Sequence, residues 1–474
     1  MHLPVGYQNV REYFRDAMRF LSDYKWVYRY PMTGLLVHNV LGQIPPEWQI
    51  FLEHMSPTEL TMLSNGYVQA HWPASLVLFL NKCKCLQLVD KIHTDEWKLS
   101  RELCRGLSPK KQHEVSRMIS LVHQECQKLG IHNILDVGSG LGYLDLALHV
   151  EFGYKVLGLE RNNTYTITAS QKASSLCANC EAVSFYPCEV SHTTFEEIVH
   201  VMEKRLSRGH YPCTSRIQEE NISDRLSKFH EVCMIGLHTC GDLSAVAVDL
   251  FMHTPQLRLM VLVPCCYHKL ATLEEKDRCG PNVVNFPLSE ELTNVLKEEF
   301  DGFEEYLGAS FLRLASQESC RRWQHWTEEQ HQQHSENLMS RAVLDLAAVK
   351  LGLVLKKKRR RCVRKTQRNN FESFIEDAME RYDFLLPNGV IATTEKHEEI
   401  LKEMRTLWLQ FKKFCNLAEA VTGLQAAMQT SVESVILIDR ITALQEKQSQ
   451  LTLDVVKVTD EELSPRCRAL IVRK

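Results

Sequence analysis

Two short stretches of this 474-residue chain concentrate residues able to do chemistry. Val232 to His238 is an apolar run that breaks into Thr239-Cys240-Gly241-Asp242. Leu259 to Val263 is a second apolar run, and it ends in Pro264-Cys265-Cys266-Tyr267-His268. His238 or His268 suits a general base acting on a hydroxyl or amine nucleophile, because histidine is the residue type able to exchange a proton near neutral pH. Cys240, Cys265 and Cys266 fit either a nucleophilic thiolate or small buried hydrophobes, since unpaired cysteine is among the most buried residue types. No metal is expected. A zinc centre would need a close C-x-x-C pair, and here four ligands would have to come from two separate loops.

A third stretch, Asn133 to Leu148 (NILDVGSGLGYLDLAL), has the form of a ligand cradle. A strand-length apolar run ends in Gly138, Gly140 and Gly142, with Ser139 between the first two, and a helical pattern begins at about Tyr143. Glycines so placed let the backbone turn without a Cβ and approach a ligand above the strand ends. The spacing is G-x-G-x-G, not the dinucleotide fingerprint G-x-G-x-x-G, because Tyr143 stands where that last glycine would fall. The next apolar run, Tyr154 to Glu160 (YKVLGLE), closes on a carboxylate 18 positions after Gly142. A carboxylate about twenty residues past such a loop accepts hydrogen bonds from ribose hydroxyls. Asp136 before the loop and Glu160 after it suit a donor with an amino-acid end and a ribose but no pyrophosphate. S-adenosylmethionine is such a ligand.

The elements that must position these groups read as successive βα units. Val183 to Tyr186 is a short strand, and Pro187-Cys188-Glu189 follows it, which places Cys188 near an adenine edge. Asp242 is expected to cap a helix with apolar residues at Leu243, Val246, Ala247 and Leu250. In a doubly wound sheet ligands bind outside the carboxyl ends of the strands. His238, Cys240, Cys265, Cys266 and His268 are therefore expected on one rim facing the donor. Leu107 to Gly130 reads as a helix with Ser108 as its cap and Pro109 at its first position. Lys110, Lys111 and His113 on it are either surface charges or contacts to cofactor or substrate. Ser431 to Gln448 is an amphipathic helix, and Leu453 to Val458 and Cys467 to Val472 are two strands of a terminal antiparallel hairpin.

Taken in order, LSPKKQHEV, DVGSGLGYL, GLHTCGDLS, VPCCYHKL, FPLS and LSPRCRALIVRK resemble the methyltransferase-like protein 25 family, which includes proteins named ribosomal RNA adenine dimethylase domain-containing. The chain is similar, more distantly, to tRNA 2′-O-methyltransferases that share a Cys-Gly loop followed by a Cys-Cys-His loop. Their N-terminal zinc-binding motifs are not found here. The Thr239-Cys240 and Pro264-Cys265 pairs are also similar to the cysteines of cytosine-5 methyltransferases, with the order of the two steps reversed. The resemblance runs from about Leu107 onward. It implies an α/β class I (Rossmann-like) methyltransferase sheet and S-adenosylmethionine binding.

Composition agrees with a large soluble enzyme of two or three domains. A net charge of −3 does not argue for nucleic acid over the whole molecule, and 17 scattered cysteines without a signal segment indicate a reducing compartment, cytoplasm or nucleus. No run approaches the ~18 apolar residues of a membrane span. Aromatic anchors such as Tyr13, Phe14, Phe20 and Trp48 and the Pro45-Pro46 break mark residues 1–106 as an all-α N-terminal domain. The methyltransferase core then occupies 107–268, a long helical and partly basic insertion 269–430, and the closing helix and hairpin 431–474. Because the insertion springs from the Cys/His rim, it is a candidate lid or substrate platform. Within it, eight of the ten residues from Lys356 through Lys365 are basic, beginning with Lys356 to Arg361 (KKKRRR), and Arg368 extends the run. A phosphate contact, a nuclear import signal and a solvated loop all fit that run. RNA is the expected acceptor. Protein side chains, and a non-catalytic methyltransferase fold kept for binding, are the alternatives.

Overall fold

A computed structural model describes residues 3–176, 182–206, 231–272, 283–317, 320–358 and 370–474. Ten strands lie among them: β1 (Lys91–Ile92), β2 (Asn133–Val137), β3 (Lys155–Glu160), β4 (Val183–Pro187), β5 (Val232–Cys240), β6 (Leu257–Cys265), β7 (Val354–Lys357), β8 (Tyr382–Leu385), β9 (Thr452–Lys457) and β10 (Arg468–Arg473). Eight of them form one sheet in the order β4-β3-β2-β5-β6-β10-β9-β1. Strands β2 to β6 pair in parallel, and β10 is antiparallel to both β6 and β9. This is the class I methyltransferase sheet. Strand order reverses between β2 and β5, which is where such sheets open a crevice at their carboxyl edge.

Alternation along each strand builds two cores. Ile134, Val156, Cys233, Val261 and Ile471 face Val115, Met118, Ile119 and Val122 of the helix Pro109–Leu129 and Leu144 and Leu148 of the helix Tyr143–Phe152. Their neighbours Leu135, Leu157, Met234, Leu262 and Leu470 face the other way, against Ile198 and Met202, Leu250 and Phe251, and Ile441 and Leu444. Strands buried on both faces read as continuous apolar runs, which is why these were legible. Each such aliphatic side chain contributes roughly 1.5–3 kcal/mol by leaving water.

The chain forms two compact units, each drawn from several stretches of sequence. One comprises residues 1–15, 88–316 and 433–474; the other comprises 16–87 and 317–432. The sheet belongs to the first. So do residues 283–316, although they follow the Cys-Cys-His loop: Asp242 accepts from Asn285 Nδ2 at 2.7 Å, and Asp439 accepts from the Leu288 and Ser289 backbone N–H groups. Asp242 stands at the N-cap of its helix as expected, but its side chain makes no capping hydrogen bond. Its second oxygen takes the Ala271 N–H at 2.8 Å, so the carboxylate staples the following loops. The all-α expectation for residues 1–106 misses β1, a two-residue edge strand parallel to β9 and too short to show a period. The Ser108 cap is present, accepting from the Lys111 N–H.

The second unit is helical, with Pro46–Leu52, Pro57–Ser64, Ala74–Cys85, Glu328–Lys350, Phe371–Arg381 and Thr394–Phe411 among its elements. Trp48 is buried against Tyr24 and Phe79. Strands β7 and β8 make a separate antiparallel pair that carries exposed Lys356 and Lys357, and Lys358 pairs with Asp383 at 3.2 Å. The rest of the basic run, from Arg359 through Arg368, lies outside the described residues. Among the described residues no helix is long and apolar enough to cross a membrane.

Candidate active site

The glycine loop is fastened to the end of β3. Gly138 and Ser139 both donate to the Leu159 carbonyl, at 2.9 and 3.0 Å, and Gly142 donates back to Ser139 O at 3.0 Å. All three glycines lie in the left-handed region, with φ of 83°, 60° and 74°. A Cβ on Gly142 would come within 2.5 Å of Phe185 Cζ, whereas one on Gly140 would meet nothing within 4 Å. Gly142 is thus required by packing, while Gly140 borders open space. Glu160 closes the arrangement. One oxygen accepts the Gly140 N–H at 3.0 Å and the other the Asn162 N–H at 2.8 Å. The two oxygens retain lone pairs beyond these bonds, so ribose hydroxyls can still be accepted.

Beneath the loop, Asp136 is buried beside Asp145 of the helix that follows, and Asp145 was not anticipated. Burial raises both carboxyls, Asp136 to about 7, and the proximity of Asp136 raises Asp145 further. Asp136 Oδ1 and Ser139 Oγ are buried without a hydrogen-bond partner among the described residues. Open space at Gly140, unclaimed polar atoms below it and carboxylates on either side fit a donor with a sulfonium, an ammonium and a ribose. Cys188 sits at the end of the adjacent strand, its N–H on the Glu160 carbonyl at 3.0 Å. Burial raises its thiol, which points to the Glu189 carbonyl.

Three of the five residues expected on the rim, Cys240, Cys265 and Cys266, come together because β5 and β6 run in parallel with Cys240 in register with Cys265. The Cys240 and Cys265 Sγ atoms are 3.0 Å apart, and Cys266 Sγ lies within 4.8 Å of both. Hydrogen bonding with Cys265, against the burial that opposes ionisation, and then the nearby Cys266 thiol lower the Cys240 thiol to about 6. Cys265 is raised in return by the same bond and by burial, and Cys266 by burial and then by Cys240. Gly241, at φ +57°, admits the Lys269 carbonyl to 2.7 Å of where a Cβ would stand, so the two loops pack directly. Gly138 would likewise bring a Cβ to 3.1 Å from Leu243 Cδ2, which sets the donor loop against the rim.

The histidines take different roles. His238, in a left-handed conformation (φ 70°), places Nε2 3.1 Å from Glu114 Oε1. Glu114 is 2% exposed and also accepts from Ser464 Oγ at 2.8 Å. Its burial would raise the carboxyl, but His238, Lys111 and Ser464 outweigh that and hold it at about 2. Sequence reasoning singled out Lys110, Lys111 and His113 and passed over Glu114. The signal was an acid at the edge of the stripe Val115, Met118, Ile119 and Val122, at helical period. The lysines lie 3.8 and 3.4 Å from Glu114, and His113 accepts the Asp460 N–H. His268 keeps a buried Nδ1 without a partner among the described residues. Burial lowers its pKa, and Arg313, Lys269 and Arg466 lower it further.

Residues 110–273 match the methyltransferase domain family, a span that contains the loop, Glu114, Glu160 and the whole rim. The chain is 22% identical over 472 residues to probable methyltransferase-like protein 25 of Mus musculus, covering 78% of this chain and 75% of that protein. The Homo sapiens protein of the same name is 22% identical over 487 residues, with the same coverage. Among solved structures, coclaurine N-methyltransferase bound to N-methylheliamine and SAH covers 89% of this chain and 90% of its own at 12% identity. Its TM-score is only 0.21, so the fold stands on the sheet order above. The chain is similar to the methyltransferase-like protein 25 proteins, and its residues 110–273 are an S-adenosylmethionine-dependent methyltransferase domain.

Proposed function

We propose that this methyltransferase acts on RNA. The observation that carries methyl transfer at this site is the tied glycine loop, open above Gly140, with Asp136 Oδ1 and Ser139 Oγ buried beneath it without a hydrogen-bond partner among the described residues. S-adenosylmethionine, when bound, supplies an electrophilic methyl on a sulfonium. Asp136 and Glu160 offer carboxylate oxygens to its cationic and hydroxyl groups, and Ser139 Oγ is free to hydrogen-bond it. His268 presents a ring nitrogen that no described residue claims, and can take the proton that an amine or hydroxyl acceptor loses. Most of the acceleration in such an in-line transfer comes from alignment, which two rigid strand ends provide.

RNA is favoured by the basic run that begins at Lys356 and by the likeness of the Cys-Gly and Cys-Cys-His loops to those of tRNA methyltransferases. The test is methyl transfer from labelled S-adenosylmethionine to total RNA and to total protein from cells lacking the gene. Label is expected in RNA, and His268→Ala should lower the rate by about 10²–10⁴ while leaving donor affinity nearly intact. Label in protein alone would replace the acceptor class. No label in either pool would favour a binding module.

A further inference from the structure

The three sulfurs at the rim are more than a pair of hydrogen-bonded thiols. We propose that Cys240, Cys265 and Cys266 hold a single zinc ion, with a fourth coordination position open to an exchangeable ligand. Three observations converge on this site.

The first is distance. Zinc–sulfur bonds of about 2.3 Å at tetrahedral angles place sulfurs about 3.8 Å apart. The 3.0 Å between Cys240 and Cys265 and the 4.8 Å limit over all three bracket that value. Side-chain rotation that opens the Cys240–Cys265 pair by about 0.8 Å would seat the ion. The second is backbone strain. Among the described residues only three non-glycine positions have positive φ, and two of them, His238 and Cys266, stand in these loops. Such conformations are unfavourable for residues with a Cβ and cluster where a surrounding site over-determines them. In Cys266 the strain turns the chain directly after Cys265, which brings two consecutive sulfurs to one point. The third is exposure. Cys265 is buried, whereas Cys240 and Cys266 are half-buried, so the cluster has an inner wall and an outer opening. Three protein ligands with one open position are the pattern of catalytic zinc, in contrast to the closed four-ligand structural sites.

The proposal departs from the expectation of no metal, which rested on C-x-x-C spacing along the chain. Here the spacing is across strands: residues 240 and 265 are neighbours only because β5 and β6 are in register. Binding is written as Zn²⁺ joining three sulfurs, with any proton still held on a thiol passing to the buffer. The inference goes beyond methyl transfer, and its readout does not involve activity.

The full-length chain, purified under reducing conditions and incubated with zinc alone, should retain close to one equivalent after dialysis. Cobalt in its place should give thiolate-to-metal charge-transfer absorption. Cys240→Ser, Cys265→Ser and Cys266→Ser should each abolish retention, and Cys85→Ser, at an exposed cysteine elsewhere, should not. Circular dichroism identifies any variant that fails to fold. Wild-type protein alone then suffices: zinc should slow alkylation of residues 240, 265 and 266 together, read by peptide mass spectrometry, and leave Cys85 unaffected. Retention below a tenth of an equivalent, or unchanged alkylation, overturns the proposal. So does a Cys240–Cys265 disulfide that forms equally fast with and without zinc, since strand neighbours at this spacing are also within disulfide reach.

Discussion

Replacing Glu160 with glutamine tests the donor site at its narrowest point. The carboxylate accepts one backbone N–H on each oxygen, Gly140 at 3.0 Å and Asn162 at 2.8 Å. Glutamine has the same shape, but only one of its two terminal atoms accepts. Whichever way the amide turns, one N–H of the protein faces an NH₂. A charge-assisted hydrogen bond is lost, at about 1.5–3 kcal/mol, and the remaining one loses its charge. Because Gly140 is the point at which the loop opens to the donor, the loss falls on the bound geometry. A net cost of about 2–4 kcal/mol is expected, or roughly 30- to 700-fold in Kd at 1.4 kcal/mol per decade. Calorimetric titration of S-adenosylmethionine into wild type and Glu160→Gln measures it, with circular dichroism to show that both are folded. Affinity within about threefold of wild type in a folded variant would refute the role assigned to Glu160 and the loop it secures.

Three other outcomes follow from particular geometries. Gly142→Ala should destabilise the core by about 2–4 kcal/mol, combining left-handed strain with overlap on Phe185, whereas Gly140→Ala should cost only about 1–2 kcal/mol and act mainly on donor affinity. Equal denaturation midpoints for the two would contradict the packing described. Glu114 is depressed to about 2 from an ordinary 4.5, so the stability it contributes is present above pH 4.5 and is lost as pH falls through that window towards 2. That amounts to about 3 kcal/mol at most, and Glu114→Gln should flatten the fall in urea midpoint over the window; an unchanged fall would remove Glu114 from the account. Changing Lys356 to Arg361 to glutamine should weaken RNA binding and flatten the log–log salt slope by several units. A slope left as in wild type, with a fluorescent fusion displaced from the nucleus, would make the run an import signal instead.

Much of the catalytic half was legible from residues alone because its determinants are local. Apolar runs of strand length, glycines that alone tolerate left-handed backbone, and a carboxylate at the close of the next strand are properties of consecutive residues. They placed β2, the loop, β3 and the Cys/His strand ends where the structure has them. Tertiary structure decided what those residues do to one another. Residues 114, 238 and 464 meet around one buried carboxylate, Asp136 acquires Asp145 as a neighbour, and the Asp242 side chain turns from its helix to hold Ala271 and Asn285. Three cysteines that look unrelated along the chain meet within 4.8 Å because two parallel strands share a register. The physical reason is the range of the interactions. Backbone preference and hydrophobic period act over a few residues, whereas a buried charge or sulfur takes its state from whatever the fold packs against it.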